Sequence, residues 1–435
     1  MIEIFSIFIQ ILILNIFFLF PVNIKNIKFY FNFEKPSIFD IYIVNTIFYF
    51  IVFLFISFFK LKLNYFFFLF ITLSILSLIL NYKNYKKYFL ENDNLKFFIF
   101  FLVCFLSISF VVAANPVLAW DGIAHWYFKV LNFNQNQTYE NLKNLYFSYY
   151  PHLGSYVWNF FWVNNFLNLE YIGRIFFIFI FLISIFSASD KLKFKRKIST
   201  KVLITLILVF FIYDIFLLSG YQEYLIFFLF YAFSLFYHQY KNTREKNLQI
   251  YILIFSVIFL MFWFKQEGFF YTIILGFLFI LFENKKLHIK IFLGLLIILG
   301  LYTFINIKIY FHGSFSFNEK IIHAELLKYL DPFIFAKTLV EISFEIIKAF
   351  IKYPIWLIIF LILLSDIYQK KIFNNINLLF FIIFIGFVYA VFLQTTMDIK
   401  QLMPLTLDRL IFHGSGFYLI YVINFFNNNL KKIDF

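Results

Sequence analysis

The sequence predicts an all-α fold, a polytopic bundle of transmembrane helices with interfacial helices in one large extracytoplasmic loop. Three observations carry this. Hydrophobic residues make up 63% of the 435 and charged residues only 14%, with a mean hydropathy of +0.86, a composition that a soluble globule with a polar surface does not have. The apolar residues come in runs long enough to cross a hydrocarbon core of roughly 30 Å. Between the runs lie short segments rich in lysine.

The N-terminal stretch MIEIFSIFIQILILNIFFLF lacks a basic start, carries Glu3 and shows no small-residue cleavage pattern, so it is expected as a retained span and not a signal peptide. Further runs follow it. Counting this first one, about thirteen are expected, at 3–20, 38–59, 63–80, 97–115, 171–188, 201–218, 225–238, 250–264, 269–282, 289–310, 351–365, 378–394 and 411–426. They divide into N-terminal transmembrane helices (1–96), a central core (97–310) with its outer loop at 116–170, and an outer amphipathic segment with C-terminal helices (311–435). No internal repeat or Gly/Ser-rich linker separates a soluble domain. Cys104 stands alone within an apolar run, so no disulfide forms within the chain, and its thiol reads as a small packing group. The 76 Phe, with many Ile, Lys, Asn and Tyr, match a strongly AT-rich coding sequence, so any single aromatic or lysine carries little information.

The net charge of +14 points to membrane topology and away from nucleic acid, because the basic residues cluster in short segments between spans. These are Lys83, Lys86 and Lys87; Lys191, Lys193, Lys195, Arg196 and Lys197; Lys241, Arg244 and Lys246; Lys285 and Lys286; Lys370 and Lys371; and Lys431 and Lys432. The positive-inside rule makes all of them cytoplasmic. Between the segments near 85 and 195 the chain must cross an even number of times, yet three apolar candidates lie there. The weakest, 154–168, is interrupted by Asn159, Asn164 and Asn165 and is expected as an amphipathic helix lying in the interface. Residues 116–170 then form one extracytoplasmic loop, and 219–224, 265–268, 311–350 and 395–410 are outside as well. The chemically distinctive residues collect on that side: Asp121, His125, Lys129, His152, Glu223, Lys265, Glu267, His312, His323, Asp398, Asp408 and Arg409.

Asp121 follows Trp120 just beyond the 97–115 run, with His125 and Lys129 at four-residue intervals on one face of a helix. It reads either as the cap of that helix or as a base held at the membrane surface beside a cation. His152, between Pro151 and Gly154, is a loop histidine bonded to its own turn or a substrate contact. Glu223 lies in the hairpin Ser219-Gly220-Tyr221-Gln222-Glu223-Tyr224, as a solvated carboxylate or as a site residue that so short a loop holds against the bundle. Lys265-Gln266-Glu267-Gly268 joins two runs with almost no spare length. Its charges mark a span boundary, with Lys265 snorkelling, or, in the favoured reading, Lys265 faces a lipid phosphate. The 311–350 segment mixes Glu319, Lys320, Glu325, Lys328, Glu341, Glu345 and Lys348 with apolar residues and is expected as an amphipathic helical cap; His312 and His323 within it rank second. No paired-Asp motif or close His/Asp cluster compels a metal site. Asn136-Gln137-Thr138 matches a glycosylation acceptor sequence, common by chance in an Asn-rich chain.

The tract W-D-x-I-x-H-W-x-x-K from Trp120 to Lys129, the following Tyr150-Pro151-His152-Leu153, and the turn Lys265-Gln266-Glu267-Gly268 resemble the GT-C superfamily of membrane glycosyltransferases, over roughly residues 97–310. Members carry a catalytic Asp just after a span, at the start of a large outer loop, where Asp121 stands, and a second acid in the next outer loop, where Glu223 stands. Here about three spans precede that loop, where many members have one, and no second acid adjoins Asp121. The resemblance implies transfer of a sugar from a polyprenyl-phosphate donor to an extracytoplasmic lipid, glycan or protein, at the outer face of a bacterial inner membrane. Asp121 would act as general base, with Glu223 orienting acceptor or sugar. Lys265, with Lys129 or Arg409, would stabilise the leaving phosphate, and Trp120, Trp126 and His152 would contact the sugar. His125 and Glu267 join the expected substrate-binding residues. No cofactor is fixed by these residues, and a divalent metal stays open. Two alternatives remain: a transporter or flippase, which would place ionisable groups near the midplane, where Asp214 is the candidate, and an O-antigen ligase or polymerase type of enzyme acting through 311–350 and His323.

Overall fold

The structure, a computed structural model, describes residues 2–31, 36–91, 93–135, 138–145, 147–148, 150–165, 167–192, 198–242, 248–282, 294, 298, 300–302, 305, 331–369, 375–393 and 399–430. Among these the regular structure is helical throughout, with no strand. The main helices are α1 (Ile2–Phe17), α2 (Ile24–Phe31), α3 (Ile38–Ile56), α4 (Leu63–Leu80), α5 (Tyr82–Leu90), α6 (Asn94–Ala114), α7 (Phe128–Asn134), α8 (Leu153–Val163), α9 (Glu170–Asp190), α10 (Ile198–Ile212), α11 (Glu223–Asn242), α12 (Leu248–Phe264), α13 (Glu267–Phe282), α14 (Pro332–Lys352), α15 (Ile355–Tyr368), α16 (Ile376–Leu393) and α17 (Ile399–Leu430).

Six described helices are long and apolar enough to cross a membrane: α3, α4, α6, α9, α16 and the Thr406–Asn428 part of α17; a seventh arises if α14 and α15, which meet at 108°, count as one. Such a set suggests a membrane protein. It is fewer than the thirteen runs read from the sequence, and helix length accounts for much of the difference. α1, α10, α12 and α13 are apolar but shorter; the 16 residues of α1 rise about 24 Å, less than a hydrocarbon core.

The bundle is built round α9 and α11. Every residue of α9 from Tyr171 to Ser189 is buried, as is the apolar run of α11 from Tyr224 to Phe233. Helices apolar on all sides can be satisfied only by surrounding helices or lipid. α17 lies along α11 at unusually short range, because residue 416 is glycine: a Cβ there would sit 2.2 Å from the carbonyl oxygen of Phe227. At the opposite end from Glu223, Asp40 caps α3 in a reciprocal box with Ser37, accepts from Ser187 Oγ at 2.7 Å and pairs with Lys191, tying α3 to α9.

Several expectations change. The 154–168 segment is helical to Val163 and that helix is enclosed by the bundle. It is α8, and Leu153 to Trp162 are all buried: Tyr156, Trp158, Phe160, Phe161 and Trp162 cover most of its circumference, and the narrow polar stripe of Ser155 and Asn159 is buried as well. Ser155 is satisfied inside the protein, donating to the Trp126 carbonyl and accepting from Gln222 Nε2, each at 3.1 Å. The 201–218 run stops being α-helical at Ile212, because Asp214 caps a 3-10 turn at Ile215–Leu218 and accepts from Phe216 N at 2.9 Å. Asp408 and Arg409, expected in a loop, are carried on α17, since no helix breaker separates Leu405 from Phe412. The end of the 311–350 segment forms α14, with Thr338, Ile342, Ile346 and Ala349 turned inward. Most of the 289–310 run, His312, Glu319, Lys320, His323, Glu325, Lys328, Asp398, Asn136 and Gln137 lie outside the described residues. So do Lys193, Lys195, Arg196, Lys197, Arg244, Lys246, Lys285, Lys286, Lys370, Lys371, Lys431 and Lys432.

Candidate functional site

Two short connections meet at one end of the bundle. After α6 the chain runs extended to Ala119, then enters a π-helical turn, Gly122–Tyr127, immediately after Asp121; such turns recur at functional sites. The 219–222 hairpin lies against it, with Ala119 N donating to the Ser219 carbonyl at 2.8 Å. Glycine makes this approach possible on both sides. A Cβ at Gly122 would lie 2.6 Å from Ser219 O, and Gly220 has φ +96°, a conformation that side-chain-bearing residues rarely adopt. Arg174, buried on α9, fastens both connections at once: Nη1 donates to Leu218 O at 3.0 Å and Nη2 to Pro116 O at 2.6 Å, while Glu170 balances the guanidinium at 2.9 Å from Nε.

The result is a cluster drawn from four parts of the chain. Arg409 of α17 pairs through Nη1 with Asp121 and places Nε 3.5 Å from Glu223 Oε1. Glu223, at the start of α11, receives Lys265 Nζ at 2.6 Å and His413 Nε2 at 2.5 Å, both on Oε2. Lys265 also lies 3.6 Å from Glu267 Oε1, and Tyr271, one turn further along α13, meets His413 Nδ1 at 3.0 Å. Glu223, His413 and Lys265 are buried, and buried charges persist only when paired in this way. Among the described residues Glu223 Oε1, Glu267 Oε2 and Arg409 Nε make no hydrogen bond. Asp121 is the more open carboxylate, its side chain 23% exposed against 1% for Glu223.

The remaining expected residues divide. His125 Nε2 stands 3.7 Å from Asp121 Oδ1, its ring packed on Phe147 and Tyr150 with centroids at 4.0 and 4.3 Å. Burial pushes the His125 imidazole down to about 4, although Asp121 pulls the other way. Trp120 is exposed and edge-on to His125. Lys129 is turned into the outer loop: its ammonium donates to the carbonyls of His125 and Phe147 at 2.8 and 2.6 Å, near the rings of Trp126 and Tyr150. Trp126 is buried. His152 lies apart, buried and bonded to Ser57 at 2.8 Å among Phe58, Tyr139 and Trp263, and burial pushes it down to about 3. Asp121 makes no capping hydrogen bond.

No family model, no curated protein and no solved structure matches this chain. Function is therefore argued from the residues themselves. Among the described residues no group of three His, Cys, Asp or Glu is placed to hold a metal ion. Beside the cluster runs an apolar groove of about 340 Å³, with Val111, Val112 and Val117 on one wall and Ile215, Phe216 and Leu218 on the other. It reaches Ser219, the residue that Ala119 and Gly122 abut.

His413, Tyr271 and Arg174 were not singled out from the sequence. A lone Arg inside the run Ile172-Gly173-Arg174-Ile175 is a signal that intramembrane charge is rarely idle. The spacings Glu267 to Tyr271 and Arg409 to His413, four residues each, place each pair on one helix face.

Proposed function

We propose that the chain is a membrane glycosyltransferase of the GT-C type, with about thirteen spans in a bacterial inner membrane and its site facing outward. The observation that carries this reading is the convergence of Asp121 and Glu223, from two connections that each follow an apolar helix, on the single guanidinium of Arg409. Transfer from a polyprenyl-phosphate sugar breaks the bond between the anomeric carbon and the phosphate oxygen, forms a bond to the acceptor oxygen or nitrogen, and moves the acceptor's proton to a base. Asp121, the more exposed acid, takes that proton. The leaving phosphate keeps the electron pair and needs cations.

Arg409 and Lys265 supply them. In the structure Arg409 is engaged by Asp121, so that a carboxylate oxygen is occupied by the guanidinium. A donor phosphate competes for the guanidinium and thereby releases Asp121 as the substrate arrives. The apolar groove between α6 and the 215–218 turn supports the same reading, since it offers an isoprenoid chain a place next to Ser219, against which the Asp121 turn packs. Trp120 offers an exposed ring for a sugar face.

The test is release of free polyprenyl phosphate from a panel of polyprenyl-phosphate sugars by purified protein in liposomes. Release by wild type that drops about 10²–10⁴-fold in Asp121→Asn is the expected outcome. Equal release by the variant removes Asp121 as base. A second reading, transport of a lipid-linked or small polar substrate, draws on the buried Glu223–Lys265–His413 group. It predicts flux into liposomes with no donor cleavage. Asp214 does not strengthen it, because that residue caps a turn and binds Tyr353 Oη at 2.7 Å and Lys352 Nζ at 3.1 Å.

A further inference from the structure

The partners of Glu223 are unevenly shared between its oxygens. Lys265 and His413 both meet Oε2, at 2.6 and 2.5 Å, whereas among the described residues Oε1 makes no hydrogen bond and faces Arg409 Nε at 3.5 Å. His413 is in turn met by the Tyr271 hydroxyl at 3.0 Å, and both residues are fully buried. The hydrogens can be assigned by elimination. Glu223 Oε2, an ionised carboxylate oxygen paired with Lys265, can only accept, so Nε2 carries a proton; a neutral ring then leaves Nδ1 to accept from the Tyr271 hydroxyl. An imidazole accepting at Nδ1 carries its own proton on Nε2 and donates it to Glu223. Oε2 therefore receives two donors, and rotating the carboxylate would break both.

We infer that His413 and Tyr271 are positioning residues for Glu223: they pin Oε2 so that Oε1 is the oxygen turned to Arg409, and thereby orient the guanidinium that meets the donor phosphate. This rests on the glycosyl-transfer reading. The construction is economical in sequence. α13 supplies Glu267 and Tyr271 one turn apart, α17 supplies Arg409 and His413 one turn apart, and Glu223 at the head of α11 sits between the two helices. His413 touches no substrate; it acts through the carboxylate.

The test uses full-length protein in liposomes and follows polyprenyl phosphate release by wild type, His413→Phe, His413→Gln and Tyr271→Phe. Losing one hydrogen bond to a charged group lowers kcat/KM roughly 10–100-fold in His413→Phe. The loss lies in KM, because Glu223 orients the guanidinium that binds the donor phosphate and does not take the proton. His413→Gln, which keeps an N–H donor, recovers most of it. Tyr271→Phe falls between. Wild-type kinetics in a folded His413→Phe overturn the inference, as does a His413→Gln variant as impaired as the Phe variant, which would mean packing alone.

No release by wild type would count against the glycosyl-transfer reading instead. The pinning is then judged by ¹⁵N NMR of labelled histidine, assigning the resonance that disappears in His413→Gln. A ring protonated at Nε2 with Nδ1 bare is the expected result, and any other protonation pattern overturns the inference.

Discussion

Lys265, with its side chain 4% exposed, stands between Glu223 and Glu267. Removing one partner of a buried ion group leaves the other charge uncompensated. Lys265→Met is therefore expected to destabilise the protein by roughly 3–5 kcal/mol. Adding Glu223→Gln in the same chain should return part of that loss, which a double-mutant cycle of detergent melting curves would register; strictly additive losses would show that the pair is not coupled. A pH effect belongs to the same scale. His125 and His152 are pushed down by burial to about 4 and about 3, against about 6.5 in an unfolded chain. Between those values the unfolded state binds protons that the folded state does not. Stability is therefore complete above about pH 6.5 and declines as the pH falls toward 4. Melting temperatures that stay flat from pH 7 to 4.5 would contradict the buried neutral imidazoles. At this scale Arg409 was legible, as a charge at the edge of an apolar run. His413 was not, since one imidazole within Leu410-Ile411-Phe412-His413-Gly414 looks like any polar residue inside a span.

At the scale of elements, the spacing between the two carboxylates depends on backbone contact between the Asp121 turn and the 219–222 hairpin. Gly122→Ala places a methyl group 2.6 Å from Ser219 O, and rigid backbone on the far side cannot yield as a side chain would. The expected cost is about 1–3 kcal/mol in stability. Displacing Asp121 by even 1 Å is expected to lower polyprenyl phosphate release roughly a hundred-fold. An alanine variant with full activity would show that this contact does not set the site. Helix existence was legible here, because apolar run length and period are local properties. The fate of α8 was not: whether an aromatic-rich segment lies on a membrane surface or inside a bundle depends on what covers it, and α7, α9 and α3 do.

For the whole molecule, the orientation argued from basic segments is testable through the chain's lone cysteine. In a Cys104→Ala background, Trp120→Cys and Lys83→Cys each add one thiol at an exposed position. In intact cells a membrane-impermeant maleimide is expected to label position 120 and to reach position 83 only after the membrane is opened. Labelling of both before opening would reverse or remove the proposed topology. The same orientation places Asp121, Glu223, Lys265 and Arg409 at the outer end of the bundle, while Asp40, Ser187 and Lys191 lock the inner end.

The sequence by itself determined the helical class, the position of most helices and the end of the bundle where charge collects, because each of these follows from composition and from runs of a few tens of residues. Only the tertiary structure decided which charges meet. Asp121 and Arg409 are separated by 288 positions, and Glu223 and His413 by 190; no local period encodes such a pairing. It is set where backbones touch, at Gly122 against Ser219 and at Gly416 against Phe227, since the close packing of α17 on α11 is what carries an otherwise unremarked histidine to the second carboxylate.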